Sequence, residues 1–130
     1  MQFTSRQLAN VIVAAPTGRI DQTGAPTLEQ ALAPLLAQSA TDKGPIVIDF
    51  TGVEYISSVG LRVLMIASKQ MRTSGARIVL AAPQPVVAEI LKISRFDRVL
   101  EIAPTVRRAL EWLSGPALHA YDAAPGKAGA

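Results

Sequence analysis

Two adjacent hydroxyls, Ser57 and Ser58, are followed closely by Gly60 and Leu61. They come after the apolar run Ile46-Val47-Ile48-Asp49-Phe50, a Thr51-Gly52 turn and the apolar loop Tyr55-Ile56. A buried strand that ends in a turn and hands serines to the start of an amphipathic helix leaves those serines three chemical roles. One is capping, in which a side-chain oxygen accepts a backbone N–H of the first turn for typically ~1 kcal/mol. Another is nucleophilic attack, which requires a neighbouring general base. The third is phosphorylation by a separate enzyme, adding about −1.5 to −2 charges and three acceptor oxygens.

The nucleophile finds no support. His119, the only histidine, stands near the C-terminus, and the chain has no cysteine. Ser58 therefore has no evident base, and no catalytic residue is expected. No cluster of His, Cys, Asp and Glu at ligand spacing points to a metal. A Gly-x-x-x-x-Gly-Lys loop and a glycine-rich dinucleotide fingerprint are both missing, so no cofactor is expected. The serine reads as a substrate of another protein.

The elements that would hold it alternate between strand and helix. Met1 to about Arg6 and Val11 to Ala14 are short strand candidates, with Pro16 arguing for an edge or a bulge in the second. Leu28, Ala31, Leu32, Leu35 and Leu36 recur at helical spacing, with Pro34 expected to kink or break that helix. Ile46 to Phe50 and Ile78 to Ala81 are apolar throughout, as strands covered on both faces are. Ser58 to about Thr73 is an amphipathic helix with Arg62, Lys69 and Arg72 on its wet side, closed by Gly75. Pro85 to Ile93 is a helix opening on proline. Val99 to Ile102 is a brief strand, and a last helix follows Pro104 until Gly115-Pro116 stops it. This order predicts βαβ connections and a mostly parallel, mixed sheet of about four or five strands with about four helices. Ligands and partners of such sheets gather beyond the carboxyl ends of the strands, where the Thr51–Ser58 and Gly18–Asp21 segments both fall.

Bulk properties agree with one folded unit. Of 130 residues, 49% are hydrophobic and 18% charged, an ordinary globular balance. A net charge of +3 with scattered basic residues and 5% aromatics offers no stacking platform, so no direct nucleic-acid contact is expected. No apolar stretch approaches the ~18 residues of a spanning helix, because Arg62 and Lys69 interrupt the longest one; no membrane insertion is expected. With no secretory n-region and no cysteine, a cytoplasmic location is expected. Residues 1–113 are expected to be the domain. Ser114 to Ala130, rich in alanine, glycine and proline, is expected to be a flexible tail whose removal leaves the thermal midpoint unchanged.

Strand, Thr-Gly, apolar loop, Ser-Ser-x-Gly-Leu and amphipathic helix, in that order, resemble the STAS domain, named for sulfate transporters and anti-sigma factor antagonists. Gly18-x-Ile20-Asp21 before a leucine-periodic helix is similar to an earlier block of that family. The Pro85-x-Val87 helix and the Phe96-x-x-Val99-Leu100 segment match its later layout. The resemblance covers about residues 5 to 113. It implies a single STAS domain of α/β class and, at this size, an anti-sigma factor antagonist. Such a protein binds an anti-sigma factor serine kinase while unmodified and releases it once phosphorylated at this turn.

Carried over by position, the phosphoacceptor falls on Ser58. Ser57 stands where the family usually has aspartate, which removes one negative charge and makes Ser57 an alternate acceptor. The resemblance implies a partner surface of Asp21, Tyr55, Ile56, Ser57, Ser58, Gly60 and Arg62. A phosphoserine phosphatase would reset the switch. Plainer roles stand beside these: Ser57 capping the helix, Gly60 serving packing or the turn, Asp21 capping the next helix, and Arg62 in a solvated face. Arg62 lies four residues from Ser58 and so on its side of the helix. A second functional class also fits, a non-phosphorylated STAS subunit of a membrane lipid transporter or of a larger signalling complex.

Overall fold

A two-residue hairpin opens the chain. In the computed structural model, which describes residues 1–124, β1 (Gln2–Leu8) and β2 (Val11–Ile20) pair antiparallel around Ala9-Asn10, with Ala9 at a φ of 52°. The chain continues through α1 (Gly24–Asp42), β3 (Ile46–Asp49), β4 (Val53–Ile56), α2 (Ser58–Ser74), β5 (Ile78–Ala81) and α3 (Pro85–Ile93). A 3-10 turn at Phe96–Arg98 leads into β6 (Glu101–Ala103), α4 (Val106–Leu113) and α5 (Gly115–Ala123). Strand order is β1-β2-β3-β5-β6, and every pair but the first is parallel.

The ten-residue β2 is shared between two parallel neighbours. Its first half pairs Ile12, Val13 and Ala14 with Ile46, Val47 and Ile48. Its second half pairs with β4, Gly18 opposite Val53 and Ile20 opposite Ile56, with a register shift at Gly18/Arg19. Pro16 sits between the halves. Ile12 N–H donates to the Pro45 carbonyl and Gly18 N–H to the Gly52 carbonyl, so by the alternation of the pleat Pro16 faces that same side. Its missing donor falls where β2 has left β3 and not yet met β4. The expectation of an irregular position is met inside a paired strand, not at an edge.

Strands β3 and β5 are covered on both faces, as their apolar runs predict. Ile46, Ile48, Ile78 and Leu80 join one cluster with Leu28, Leu32, Leu64, Met71, Val87 and Leu91 from α1, α2 and α3. Val47 and Val79 point the other way, into a cluster with Val106, Ala109, Leu110, Ala117 and Tyr121 from α4 and α5. That alternation is the strand period of two at work.

Three expectations need correction. The sheet has six strands, because Val53–Ile56, read as an apolar loop, adds to the far half of β2. Helix α1 runs unbroken through Pro34. Both Pro34 and Gln30, whose carbonyl loses its donor, are exposed positions, where an unpaired carbonyl costs least because solvent can reach it. The folded part also does not stop at Leu113. Gly115-Pro116 starts α5 instead of ending the fold, with proline in the first turn where its missing N–H costs nothing. Ser114 caps this fifth helix, its Oγ accepting from Ala117 N–H at 3.2 Å and donating to Asn10 Oδ1 at 2.5 Å. Tyr121 is 5% exposed, and Arg6 lies over its ring at 5.6 Å. Arg107 reaches Asp122 at 3.1 Å from α4. The remainder of the expected tail, residues 125–130, lies outside the described residues.

Candidate functional site

Because β2 and β4 are parallel neighbours, their carboxyl ends come together, and so do the helices that follow them. Ile20 is opposite Ile56 in the register, and Ser57 N–H donates to the Ile20 carbonyl at 2.9 Å. The start of α2 is thereby tied to the segment that begins α1. Sequence positions 21 and 58 become neighbouring loops on one rim of the sheet.

Ser57 and Ser58 divide the roles open to them. Ser57 has an extended backbone, φ −91° and ψ 172°, and its Oγ accepts Gly60 N–H at 3.3 Å. It is the helix cap. Ser58 is the first residue of α2 and is exposed, and its hydroxyl makes no hydrogen bond to another described residue. Of the two hydroxyls, that of Ser58 is the one without a hydrogen-bond partner among the described residues. The amino end of α2 carries the positive end of the helix dipole, which favours an added anion by ~0.3–1 kcal/mol.

Gly60 is buried for a packing reason. A Cβ there would stand 2.7 Å from Ile20 Cγ2, 2.8 Å from Ile56 Cγ1 and 3.1 Å from the Ile20 carbonyl oxygen. Glycine thus lets the first turn of α2 close on β2 and β4. Ile56 is 1% exposed and belongs to the core. The expectation that Ile56 and Gly60 belong to an exposed partner surface is therefore corrected: Ile56 points into the core from a strand, and Gly60 is covered where the first turn of α2 meets Ile20 and Ile56.

Asp21 caps α1. Its Oδ1 accepts the N–H of Gly24 at 3.0 Å and of Thr23 at 3.1 Å, and the Thr23 hydroxyl at 2.8 Å. The Gly24 N–H, then the Thr23 hydroxyl, hold its carboxyl below the usual carboxylate range. Tyr55 is half-buried beside Arg19, whose guanidinium lies 4.5 Å from the ring centroid. Arg62 is exposed on the next turn of α2 from Ser58. The structure thus gathers Asp21, Tyr55, Ser57, Ser58 and Arg62 at one rim.

Sequence reading missed two apolar side chains at this rim. Val59 is 42% exposed and Ile66 39%, seven residues apart on the side of α2 that carries Arg62. With Ala25, Pro26 and Glu29 of α1 they border a hollow of about 140 Å³ next to Ser58. Their signal was present as apolar residues two turns apart on an otherwise charged helix face. His119 is exposed on α5, which packs on the opposite face of the sheet from α2. Among the described residues no group of three or more His, Cys, Asp or Glu gathers at metal-binding distance. No helix of the described residues is long and apolar enough to cross a membrane.

The STAS domain profile matches residues 2–109, ending before α5. A Bordetella bronchiseptica protein, provisionally named the anti-sigma factor antagonist BtrV, is 32% identical over 105 residues, 79% of this chain and 86% of that one. The anti-sigma-F factor antagonist RsfB of Mycobacterium tuberculosis is 29% identical over 105 residues, 81% of this chain and 83% of that one. The crystal structure of an anti-sigma factor antagonist from Mycobacterium paratuberculosis superposes with a TM-score of 0.77 at 26% identity. It covers 86% of this chain and 92% of that one.

Proposed function

The chain belongs to the STAS domain family, and from that premise we propose that it is an anti-sigma factor antagonist switched by phosphorylation of Ser58. Unmodified, it sequesters an anti-sigma factor serine kinase; phosphorylated, it lets that kinase go, and a phosphoserine phosphatase restores it. It works as a binding module, with no reaction of its own. The observation that carries the reading is the division of labour at the turn: Ser57 is engaged as the cap, while Ser58 stands exposed with its hydroxyl free.

The physics of release is local. Around Ser58 in the chain the exposed or half-exposed residues are mixed in character: Tyr55, Val59 and Arg62. A partner packed there excludes water. Placing a phosphate of about −1.5 to −2 charges into that contact strips its hydration without supplying a matched cation, at a cost of several kcal/mol. Each ~1.4 kcal/mol is tenfold in affinity, so release requires no rearrangement of the fold. In the free protein the same phosphate is tolerated, because it sits on a helix amino terminus with Arg62 one turn along.

The test is a titration of the cognate kinase against wild type, Ser58→Ala and Ser58→Asp, with intact-mass analysis after incubation with ATP. Ser58→Ala should bind as wild type does and gain no phosphate; Ser58→Asp should bind at least roughly tenfold more weakly. Equal binding by Ser58→Asp, or phosphate carried on Ser57 alone, would sink the assignment. If neither serine takes phosphate, the permanent-subunit reading replaces it.

A further inference from the structure

On the solvent side of α1 and α2 runs an open apolar groove of about 750 Å³. Leu32, Leu36 and Val63 line it, and Ala33, Ala37 and Ala40 keep the α1 wall low. It continues into the hollow beside Ser58, the two sharing Glu29, Val63 and Ile66. The α2 side of this combined trough extends from Val59 to Ser74, about 22 Å at a rise of 1.5 Å per residue, or about four helical turns.

The rim is charged and unpaired. Arg62 and Lys69 are exposed, and neither side chain forms an ion pair with any described residue. They are seven residues apart, two turns on one side of α2. Glu29 is the acid among the lining residues, so cations outnumber it. A small molecule is normally enclosed over most of its surface, and this trough is open along its length. An open, helix-walled apolar trough is what an amphipathic helix takes.

We propose that the groove seats an acidic amphipathic helix of the anti-sigma factor kinase. Its apolar stripe lies on Leu36, Val63 and Ile66, and two of its carboxylates, one heptad apart, face Arg62 and Lys69. This rests on the switch reading above, because the trough ends at Val59, the residue after Ser58. Helices α1 and α2 are parallel, with both amino termini at the Ser58 end, as their pairing along the groove requires. Helix dipoles then favour an antiparallel partner helix, its negative carboxyl end nearest Ser58. A phosphate on Ser58 meets that end as a like charge. The groove supplies the grip, and the serine supplies the release.

The experiment titrates the purified cognate kinase with four forms of the full chain: wild type, Ala33→Glu/Ala37→Glu, Lys69→Glu and Ser58→Asp. Ala33 and Ala37 are exposed helix positions where glutamate is a good helix former, and circular dichroism and melting verify the fold. The double glutamate variant should bind at least roughly tenfold more weakly, through steric filling and charge repulsion. Lys69→Glu should weaken binding and flatten its salt dependence, with recovery when an acidic residue of the kinase helix is changed to lysine. Binding by the double glutamate variant within about twofold of wild type, alongside a loss for Ser58→Asp, overturns the groove proposal and leaves the switch intact. A kinase that does not bind wild type removes the switch reading and the groove proposal with it. If the groove variants instead change the sedimentation mass of the chain on its own, the occupant is a second copy and the proposal is overturned.

Discussion

The backbone N–H of Ser57 donates to the carbonyl of Ile20 at 2.9 Å, joining two segments that lie 37 positions apart in the chain. Through this bond the cap of α2 is held against the strand that delivers Asp21. The two helix starts therefore share one frame, and Ser58 stands on it with little freedom of backbone. For the switch proposed above, such a rigid base would let charge alone change if the serine took a phosphate.

The two serines should separate cleanly by stability. Ser57→Ala removes the cap and should cost ~0.5–2 kcal/mol, toward the lower end because the bond to Gly60 N–H is long at 3.3 Å. Ser58→Ala loses no hydrogen bond seen in the structure and should fall within about 0.5 kcal/mol of wild type. Urea denaturation of both variants checks this; an equal loss at both positions would contradict the division of roles.

Gly60→Ala should destabilise the fold although alanine is the better helix former. The added Cβ has to displace Ile20 Cγ2 and Ile56 Cγ1, which belong to stiff β-branched side chains, and it crowds the Ile20 carbonyl. Overpacking of this kind costs ~1–3 kcal/mol, against roughly 1 kcal/mol gained in helix propensity. A melting curve decides it, and a variant more stable than wild type would show that α2 can lift away without penalty.

Removing everything after Leu113 should lower the thermal midpoint by several degrees, the reverse of what an idle tail would do. Tyr121 and Ala117 leave the core together, and Arg107 loses its contact with Asp122. Tyr121→Ala alone should account for most of that loss, at about 3 kcal/mol for a large buried aromatic. A truncated chain that melts with wild type would mean that α5 contributes nothing to the fold.

Asp21 gives a pH signature. Its carboxyl is held below the usual range by the Gly24 N–H and the Thr23 hydroxyl, so on acidification the unfolded chain takes up the proton first. The stabilisation is complete above the ordinary aspartate range and is lost as pH falls through the lowered native value. Stability of wild type minus that of Asp21→Asn, measured by urea at a series of pH values, should be constant near neutrality and shrink in acid. A difference that grows on acidification would rule out the cap.

The periodicities of the chain determined most of its elements: α2 from Ser58 onward, α3 from Pro85, and the doubly covered strands at Ile46 and Ile78, because burial pattern is written locally at a spacing of two or 3.6. The same local reading brought Ser57 and Ser58 forward as cap or acceptor candidates, since cap and turn chemistry depend on neighbours within a few residues; the partner surface with Asp21 and Arg62 came from the resemblance to the STAS family. What only the tertiary structure decided lies in contacts between distant segments. Val53–Ile56 is too short to announce itself and becomes a strand because the second half of β2 lacks a partner on that side. Ile56 turns inward for the same reason, and Gly60 is covered because the first turn of α2 packs on Ile20 and Ile56; no local pattern could separate either from its exposed neighbours. Ser114-Gly115-Pro116 carries both stop and start signals, and Asn10, 104 positions away, together with the apolar face around Val11 and Val13 selects the start. The trough between α1 and α2 belongs to neither helix alone; it exists because two βα crossovers place their alanine and valine faces side by side with no other described element above them. A pattern along one chain segment specifies what that segment buries, whereas the surface left over depends on which segments meet.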